Sequence, residues 1–136
     1  SIVQKETAQK IERPIVAGLY LNRLKKGWPL QADPTIIFCI REKKGQNTVI
    51  KRVLTADLKI DSPYNTYLNK GLPPGLISMP DVSAIDAVLN ASKHNYYYMC
   101  ANTDKIGFHT FAKTLSQHNR NAEKYHRWLN KKGINR

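Results

Sequence analysis

The N-terminal quarter of the chain has the apolar spacing of two helices. Residues 1–10 follow one helical pattern, and a second helix is predicted from Pro14 to Gly27. Proline suits the first turn of a helix because its missing N–H would have no intrahelical partner there, and glycine is common just after the last turn. The apolar stripe that this second helix is expected to bury contains Ile15, Leu19 and Leu24.

The next segment predicts a β-hairpin followed by a helical turn. Ile36 to Ile40 is an apolar, partly β-branched run that is typical of a buried strand. Arg41 to Asn47 is polar and suits a turn, which makes Thr48 to Leu54 the expected partner strand. Thr55 is then expected to cap a short helical turn.

Two more helices and a second hairpin are predicted in the C-terminal half. A short helix is expected from Ser83 to Ala91, and a hairpin pairs Asn95 to Ala101 with Ile106 to Phe111. Thr114 begins a last helix that closes near Gly133. The short helix is expected to bury Ile85, Val88 and Leu89, and the last helix Leu115, Ala122 and Leu129.

These elements predict a single-domain α+β fold. Helices at both ends surround short antiparallel strand pairs, which is one of the common ways to build a two-layer core. Six of the seven prolines lie between Pro29 and Pro80, so long and stiff loops make up most of the middle third. Long ordered loops of this kind are usually functional.

The composition is that of a folded domain with a strong positive charge. The 136 residues are 41% hydrophobic and 24% charged, which excludes an extensively disordered chain. A net charge of +12 favours an anionic partner, which could be nucleic acid, an anionic lipid surface or an acidic polymer. No apolar run reaches the roughly 18 residues of a membrane span. Cys39 and Cys100 are too few for a disulfide scaffold, and we interpret both as small core residues.

Several familiar sites are excluded by spacing. Gly71 and Gly75 enclose two prolines, which cannot offer the amide hydrogens of a phosphate-binding loop. No Gly-x-Ser-x-Gly sequence occurs, and the histidines lack the spacing of zinc ligands, so we expect neither a metal nor another cofactor. A lone strand histidine such as His109 is interpreted as an ordinary hydrogen-bonded residue.

Two of the ten acidic residues stand out as candidate acids or bases. Most of the others lie in turns or in the first turn of a helix, where a negative charge suits the helix dipole. Glu6 follows Ile2 and Val3 by one helical turn, so its carboxyl can pack against apolar side chains. Such loss of contact with water raises the pKa of a carboxyl. The alternative is an ordinary surface ion pair between Glu6 and Lys10. Asp33 is the second candidate.

The loops are also rich in side chains that bind polymers. Aromatic faces stack on sugar rings, and amides and carboxylates bind hydroxyls, but the same residues suit single-stranded nucleic acid, where bases stack and cations meet phosphates. Spacing does not choose between these polymers. The residues concerned are Trp28, Gln31, Asp33, Thr35, Tyr64, Asn65, Thr66, Tyr67, His109, Thr110 and Phe111.

Six sequence blocks, in this order, show a family resemblance that covers nearly the whole chain. Together they resemble the MltG (YceG-like) family of endolytic murein transglycosylases. The blocks are Ser1-Ile-Val-Gln-Lys-Glu-Thr7, Leu21-Asn-Arg-Leu24, Leu30-Gln-Ala-Asp-Pro-Thr35, Ser62-Pro-Tyr-Asn-Thr-Tyr67, Gly71-Leu-Pro-Pro-Gly75 and His109-Thr-Phe111.

The resemblance implies an enzyme that cuts the β-1,4 bond between N-acetylmuramic acid and N-acetylglucosamine in nascent strands and leaves 1,6-anhydromuramyl ends. It places the catalytic glutamate at Glu6, which acts as acid and then as base. A hydrolase would usually need a second carboxylate, and position 4, which is Glu in many members, is Gln4 here. By analogy, the residues expected to contact the glycan are Gln31, Asp33, Tyr64, Asn65 and Tyr67.

The resemblance also implies a cellular setting. Residues 1–136 are expected to be the catalytic domain of a protein of the bacterial cell envelope, with peptidoglycan strands as substrate, peptidoglycan synthases as further partners, and no nucleic acid. Family members carry an N-terminal membrane anchor and a LysM-like subdomain upstream, and we expect both to lie outside this chain, with the catalytic domain outside the cytoplasm. The chain departs from the family pattern at Ser78 to Asp81 and at Ala91 to Lys93, which affects subsite detail. The alternatives are a non-catalytic glycan-binding module and a basic nucleic-acid-binding domain.

Overall fold

Five α-helices and one two-stranded antiparallel sheet form the regular structure of residues 1–133, the part of the chain that the computed structural model describes. This layout confirms the predicted α+β class. The helices are α1 (Ile2–Glu6), α2 (Arg13–Lys26), α3 (Asp33–Lys44), α4 (Val82–Leu89) and α5 (Leu115–Lys131), the strands are β1 (Tyr98–Ala101) and β2 (His109–Ala112), and a 3₁₀ turn spans Thr55–Lys59.

Helix α2 is the centre of the core, but of its predicted stripe only Leu19 is buried, while Ile15 and Leu24 are half-buried. Val16 and Leu19 are fully buried, and they pack with the apolar residues of α1 and of the loop before α3. The helix ends at Gly27, whose φ of +69° lies in the left-handed region that glycine adopts without strain. The other side chains of this cluster are Ile2, Val3, Ala17, Tyr20, Leu30 and Ala32.

Helix α1 is shorter than predicted. It ends at Glu6 because Thr7 is extended, with φ −143° and ψ 134°, and the Thr7 hydroxyl accepts a hydrogen bond from the Gln9 backbone N–H at 3.1 Å. Side chains of this kind offer the backbone an alternative to the helical ladder. The turn directs the chain into α2 and leaves Glu6 at the end of α1.

The predicted first hairpin is wrong, because residues 36–40 lie within helix α3. Pro34 occupies the first turn of that helix, where its fixed φ is favourable. The buried residues Ile36, Cys39 and Ile40 follow the i, i+3, i+4 spacing of a helix face. Residues 48–54, the expected partner strand, form no strand. The predicted helical turn is confirmed, but its N-cap is Leu54 and not Thr55.

Helix α4 lies where predicted but buries different residues. Ala84 and Ala87 are buried, whereas Ile85, Val88 and Leu89 are 47%, 43% and 76% exposed. The small alanines let α4 pack against α2, so the larger side chains lie on its outer face. The Asp81 carboxylate caps the helix by accepting a hydrogen bond from the Ala84 N–H at 2.8 Å.

The second hairpin and the last helix are confirmed. Strand β1 pairs with β2 in a register that places Tyr98 opposite Ala112 and Ala101 opposite His109. Helix α5 packs against both strands, with Thr114 as its N-cap. Of its three predicted inward residues, Leu129 is buried, Ala122 is half-buried and Leu115 is 55% exposed.

The Leu-Asn-Arg-Leu block of α2 is bonded to the segment that leads into strand β1. The Asn22 amide donates to the backbone carbonyl oxygens of His94 and Tyr96 at 2.9 and 3.0 Å, and Arg23 Nε donates to that of Tyr97 at 2.6 Å. These bonds satisfy carbonyls that have no partner strand on that side. They fix the hairpin, and with it His109, relative to the N-terminal helices.

The described residues contain no helix that is both long and apolar enough to cross a lipid bilayer.

Cys39 is buried, as predicted, while Cys100 is only half-buried.

Candidate active site

A cavity of about 360 Å³ opens between the N-terminal helices, the hairpin and helix α5. Four of the sequence-predicted site residues line it: Glu6, Gln31, Asp33 and Tyr67. The aromatic and cationic side chains on its other walls include Tyr20, Arg23, Tyr98, His109, His118, Tyr125 and His126. The mixture of aromatic faces and hydrogen-bonding groups suits a polar ring-shaped ligand.

Glu6 reaches this cavity from the C-terminal end of α1, and its side chain is 14% exposed. The Tyr20 hydroxyl donates to Glu6 Oε2 at 3.1 Å, and His109 Nε2 lies 3.7 Å from Oε1. Burial raises the pKa of Glu6 to about 7, although His109 and the Tyr20 hydrogen bond act in the opposite direction and Asp33 adds to the rise. The ion-pair partner of Glu6 is therefore His109, and the alternative pairing with Lys10 is not formed.

A second buried carboxylate, Glu12, holds His109 in place. Glu12 Oε2 lies 2.9 Å from His109 Nδ1, and Oε1 accepts the His109 backbone N–H at 2.6 Å. The Thr7 hydroxyl also donates to Glu12 Oε2, at 3.0 Å. Glu12 is only 5% exposed, so these three donors replace the water that a carboxylate needs.

The Glu12–His109 pair is absent from the sequence-based interpretation. Glu12 has no distinctive local pattern, and His109 was interpreted as an ordinary hydrogen-bonded residue. The two residues lie 97 positions apart, so no spacing rule joins them. The one available signal was that His109 begins a block of the family pattern.

Asp33 and Tyr67 meet at the wall of the cavity because two loops are joined beneath them. The Tyr67 hydroxyl donates to Asp33 Oδ1 at 2.5 Å. Underneath, the buried hydroxyls of Thr35 and Thr66 lie 2.9 Å apart, and Thr66 Oγ1 accepts the Ala32 N–H at 2.9 Å. Partial desolvation raises the pKa of Asp33, while the Tyr67 hydrogen bond lowers it.

Asn65 and Tyr64 do not reach the cavity. Asn65 has no exposed surface; its amide donates to the backbone oxygens of Leu58 and Ile60, and its oxygen accepts the Tyr67 N–H. This corrects the predicted glycan contact for Asn65, because a side chain without exposed surface supports the loop instead. The Tyr64 ring packs on Phe38, with 4.7 Å between ring centroids, on a different part of the surface.

Gln31 and Arg23 complete the inner wall. Gln31 has a φ of +49°, an uncommon conformation for a residue with a side chain, and its N–H donates to the Thr66 backbone oxygen at 3.2 Å. The Arg23 guanidinium is buried; it donates to the Pro29 backbone oxygen at 2.8 Å and lies 5.1 Å from the centre of the Tyr98 ring. Burial lowers the pKa of Arg23. Sequence reasoning did not single out Arg23.

A smaller cavity of about 200 Å³ adjoins the first one. The two share Asp33, Tyr125 and His126 as wall residues. The second cavity has an apolar floor, and Lys51 and Arg52 bring positive charge to it. Its floor is formed by Ile37, Ile50, Val53 and Leu129.

No group of three or more His, Cys, Asp or Glu side chains within residues 1–133 is arranged to hold a metal ion. The ionisable side chains that line the larger cavity are carboxyl, imidazole, phenol, guanidinium and thiol groups.

Comparison with known families identifies the chain. The model of the YceG-like family matches residues 1–124, which include every residue of the larger cavity except Tyr125 and His126. The chain belongs to the YceG-like family.

Related proteins that carry a functional name support this family assignment. A Bacillus subtilis (strain 168) protein named endolytic murein transglycosylase is 42% identical over 125 residues, which are 92% of this chain and 32% of the relative. A protein of the same name from Streptococcus pneumoniae (serotype 2, strain D39) is 35% identical over 92% of this chain and 22% of its own length. This YceG-like chain thus spans about a third or less of the relatives that it matches.

A solved structure supports the fold. The crystal structure of a yceG-like protein from Listeria monocytogenes superimposes with a TM-score of 0.77 at 42% identity, covering 88% of this chain and 37% of that one.

Proposed function

We propose that this YceG-like chain is the catalytic domain of an endolytic peptidoglycan lytic transglycosylase. Its substrate would be nascent glycan strands, cut at the β-1,4 bond between N-acetylmuramic acid and N-acetylglucosamine to leave 1,6-anhydromuramyl ends. The observation that carries the proposal is the Glu6 carboxyl, which is buried at the wall of a sugar-sized cavity with its pKa raised to about 7. Such a carboxyl can donate and accept a proton near neutral pH.

The reaction needs one proton carrier used twice. Protonated Glu6 donates its proton to the glycosidic oxygen, the bond from that oxygen to muramyl C1 breaks, and N-acetylglucosamine leaves with a free 4-hydroxyl. The muramyl 6-hydroxyl then attacks C1 and gives its proton to the Glu6 carboxylate. The new C1–O6 bond closes the anhydro ring, no water is consumed, and Glu6 is protonated again.

The other cavity residues fit substrate binding. Asp33 and Gln31 offer acceptors and donors for hydroxyl and acetamido groups, and we assign Asp33 to binding rather than proton transfer. Tyr67 is half-buried, and its hydroxyl donates to the Asp33 carboxylate, so it both supports Asp33 and lines the cavity. We infer that the adjoining smaller cavity accepts part of the stem peptide, because its apolar floor suits a small aliphatic side chain and its cations suit carboxylates.

The cellular setting is part of the same proposal. Relatives are named murein transglycosylases, and murein lies outside the cytoplasm, so we place this domain in the cell envelope. A membrane anchor and a LysM-like subdomain, implied by the family resemblance, would belong to other parts of such a protein. Peptidoglycan synthases that supply nascent strands are the expected partners.

The test is mass spectrometry of uncrosslinked glycan strands after incubation with the chain and with Glu6→Gln. We expect anhydromuramyl ends with the unmodified chain and a loss of about 1,000-fold or more with the variant, since acid–base groups contribute about 100- to 10,000-fold each. Glu42→Gln is the matched control, because Glu42 is an exposed carboxyl at the far end of α3. It should cleave normally.

Other products would overturn the assignment. Reducing ends would make the chain a hydrolase and return Asp33 to the catalytic residues. Binding of strands without cleavage by any variant would favour a glycan-binding module. Binding to oligonucleotides that weakens steeply with salt would favour a nucleic-acid-binding domain.

A further inference from the structure

We propose that Glu12 and His109 are positioning residues for Glu6: Glu12 keeps the His109 Nδ1 proton directed toward itself, so that the other ring nitrogen, Nε2, always faces the Glu6 carboxyl. This inference rests on the proposed acid–base role of Glu6. It assigns a part in the reaction to two residues that do not themselves contact the reacting bond.

The geometry fixes which imidazole nitrogen bears the permanent proton. Glu12 accepts hydrogen bonds from the Thr7 hydroxyl and the His109 backbone N–H, so its carboxylate is stabilised as an anion. An anionic carboxylate 2.9 Å from Nδ1 can only accept, and Nδ1 must therefore be the donor. In a neutral His109, Nε2 is then unprotonated. This is the reverse of the tautomer that histidine usually prefers in water.

This tautomer matters because the unprotonated nitrogen, Nε2, lies beside the Glu6 carboxyl. Nε2 lies 3.7 Å from Glu6 Oε1, a separation that a small side-chain movement closes to hydrogen-bond distance. One proton can therefore reside on Glu6 beside a neutral imidazole, or on Nε2 beside an ionised Glu6, with the same total charge. The acid step needs the first arrangement, in which the carboxyl bears the proton. After that step the proton is on the leaving 4-hydroxyl, so Glu6 is an anion beside a neutral His109 until the muramyl 6-hydroxyl returns a proton.

Burial strengthens the electrostatic interaction between Glu6 and His109. The side chains of Glu6, Glu12 and His109 are 14%, 6% and 12% exposed, so their charges are weakly screened. Three other titratable groups interact electrostatically with Glu6: Tyr20 on α2, Asp33 on α3 and Tyr67 in a later loop. Arg23, His118 and His126 line the same cavity. His109 is the histidine that the structure pairs with the Glu6 carboxyl, at 3.7 Å.

The first test needs no substrate. Nitrogen-15 NMR of the imidazoles in the 136-residue chain reports which nitrogen carries the proton. We expect a neutral His109 protonated at Nδ1, and we expect Glu12→Gln to abolish this preference. The exposed carboxylate Glu123, which pairs with Arg127, provides the control Glu123→Gln. A neutral His109 with its proton on Nε2 in the unmodified chain would overturn the proposal.

The second test is the pH–rate profile of strand cleavage. Activity should fall as Glu6 loses its proton, and removing the nearby imidazolium should make that loss harder. His109→Gln is therefore expected to move the alkaline limb up by about one pH unit. Glu12→Gln should move it in the opposite direction and by less, because the Glu12 carboxylate raises the pKa of Glu6 whereas His109 lowers it, and Glu12 has the weaker effect of the two. Glu12→Asp should partly restore the original profile.

The outcomes separate this inference from the proposed function. Lower activity with an unmoved alkaline limb in both variants would reduce Glu12 and His109 to structural supports. A chain that generates no anhydro ends counts against the transglycosylase assignment, and the tautomer measurement still decides whether the pair exists.

Discussion

The side-chain oxygen of Gln4 accepts a hydrogen bond from the backbone N–H of Asp81, with 2.5 Å between the two atoms. Both residues lie where the chain departs from the family pattern, which often has Glu at position 4. The Asp81 carboxylate already accepts from the Ala84 N–H and from Arg13. A glutamate at position 4 would bring a second negative charge to this place, whereas the amide keeps the acceptor without the charge.

Gln4→Glu is therefore expected to lower the melting temperature of the chain at pH 7 and low salt. The physical reason is repulsion between the new carboxylate and that of Asp81, partly offset by Arg13. Thermal unfolding followed by circular dichroism measures the effect. In an Asp81→Asn background the substitution should cost nothing, and an equal cost in both backgrounds would show that repulsion is not the cause.

Glu6 makes the stability of the chain depend on pH. Its pKa rises from an ordinary 4.5 to about 7 on folding, so the folded chain binds more protons than the unfolded chain between these values. The free energy of unfolding must fall as pH increases through this interval, by roughly 3 kcal/mol for this group. Below pH 4.5 Glu6 is protonated in both states, so the free energy of unfolding is not lowered. Above pH 7 Glu6 is ionised in both states, and the full loss is reached.

The matching measurement is urea unfolding of the unmodified chain and of Glu6→Gln between pH 5 and 8. The variant carries no charge at position 6, so it should be the more stable protein at pH 8, and the difference should shrink toward pH 5. If the unfolding free energies of the two proteins differed by a constant amount over this pH range, ionisation of Glu6 would not destabilise the folded chain.

Asp33→Asn separates binding from proton transfer. The asparagine oxygen can still accept the Tyr67 hydroxyl, so the local structure should persist. For a residue that only binds substrate, we expect KM to rise by about 3- to 10-fold with kcat nearly unchanged, corresponding to one lost hydrogen bond of about 1 kcal/mol. Steady-state kinetics on glycan strands give both constants. A collapse of kcat comparable with that of Glu6→Gln would instead make Asp33 a second catalytic carboxyl.

Asn65→Ala tests the corrected role of Asn65. The substitution removes two hydrogen bonds to the backbone oxygens of Leu58 and Ile60 and one from the Tyr67 N–H, all in a side chain without exposed surface. We expect a loss of about 2–4 kcal/mol in the free energy of unfolding. Asn69→Ala is the control, since that side chain is exposed and should cost much less. Equal losses would show that the buried bonds do not matter.

Lys51→Gln examines the smaller cavity. If this cavity binds the stem peptide, the variant should cleave peptide-bearing strands more slowly at subsaturating concentration and cleave peptide-free strands at the normal rate. The difference should diminish at high salt, because exposed charges are screened. Lys59→Gln, an exposed lysine at the end of the 3₁₀ turn, is the charge-matched control. Equal slowing on both substrates would argue against a peptide subsite.

The sequence predicted those elements whose signals are local. Pro14 and Gly27 delimit α2, and Thr114 begins α5, because caps and proline act on their immediate neighbours. The prediction for residues 36–40 was wrong because β-propensity was weighted above the i, i+3, i+4 spacing of Ile36, Cys39 and Ile40. Packing against the rest of the protein selected the helix.

The residues of the candidate site also fall into two groups, those that local sequence signals predicted and those that they did not. Glu6 and Asp33 were predicted as candidate acids or bases, and the structure brings both to one cavity. Glu12 was missed because its partner, His109, lies across the fold. Asn65 was misassigned because a polar residue in a loop has the same appearance in the sequence whether it faces a ligand or bonds to its own backbone.

The contact between Glu12 and His109 also has a consequence for biosynthesis. A ribosome completes Glu6 and Tyr20 early, but the strand with His109 and the helix with Tyr125 are among the last parts of this segment to emerge. Contacts over 97 residues form only after the intervening chain is available and ordered. A truncated product would present the carboxyl without the opposite wall of its cavity. Under the proposed function, the chain would gain its cleavage activity only when synthesis of the domain is complete.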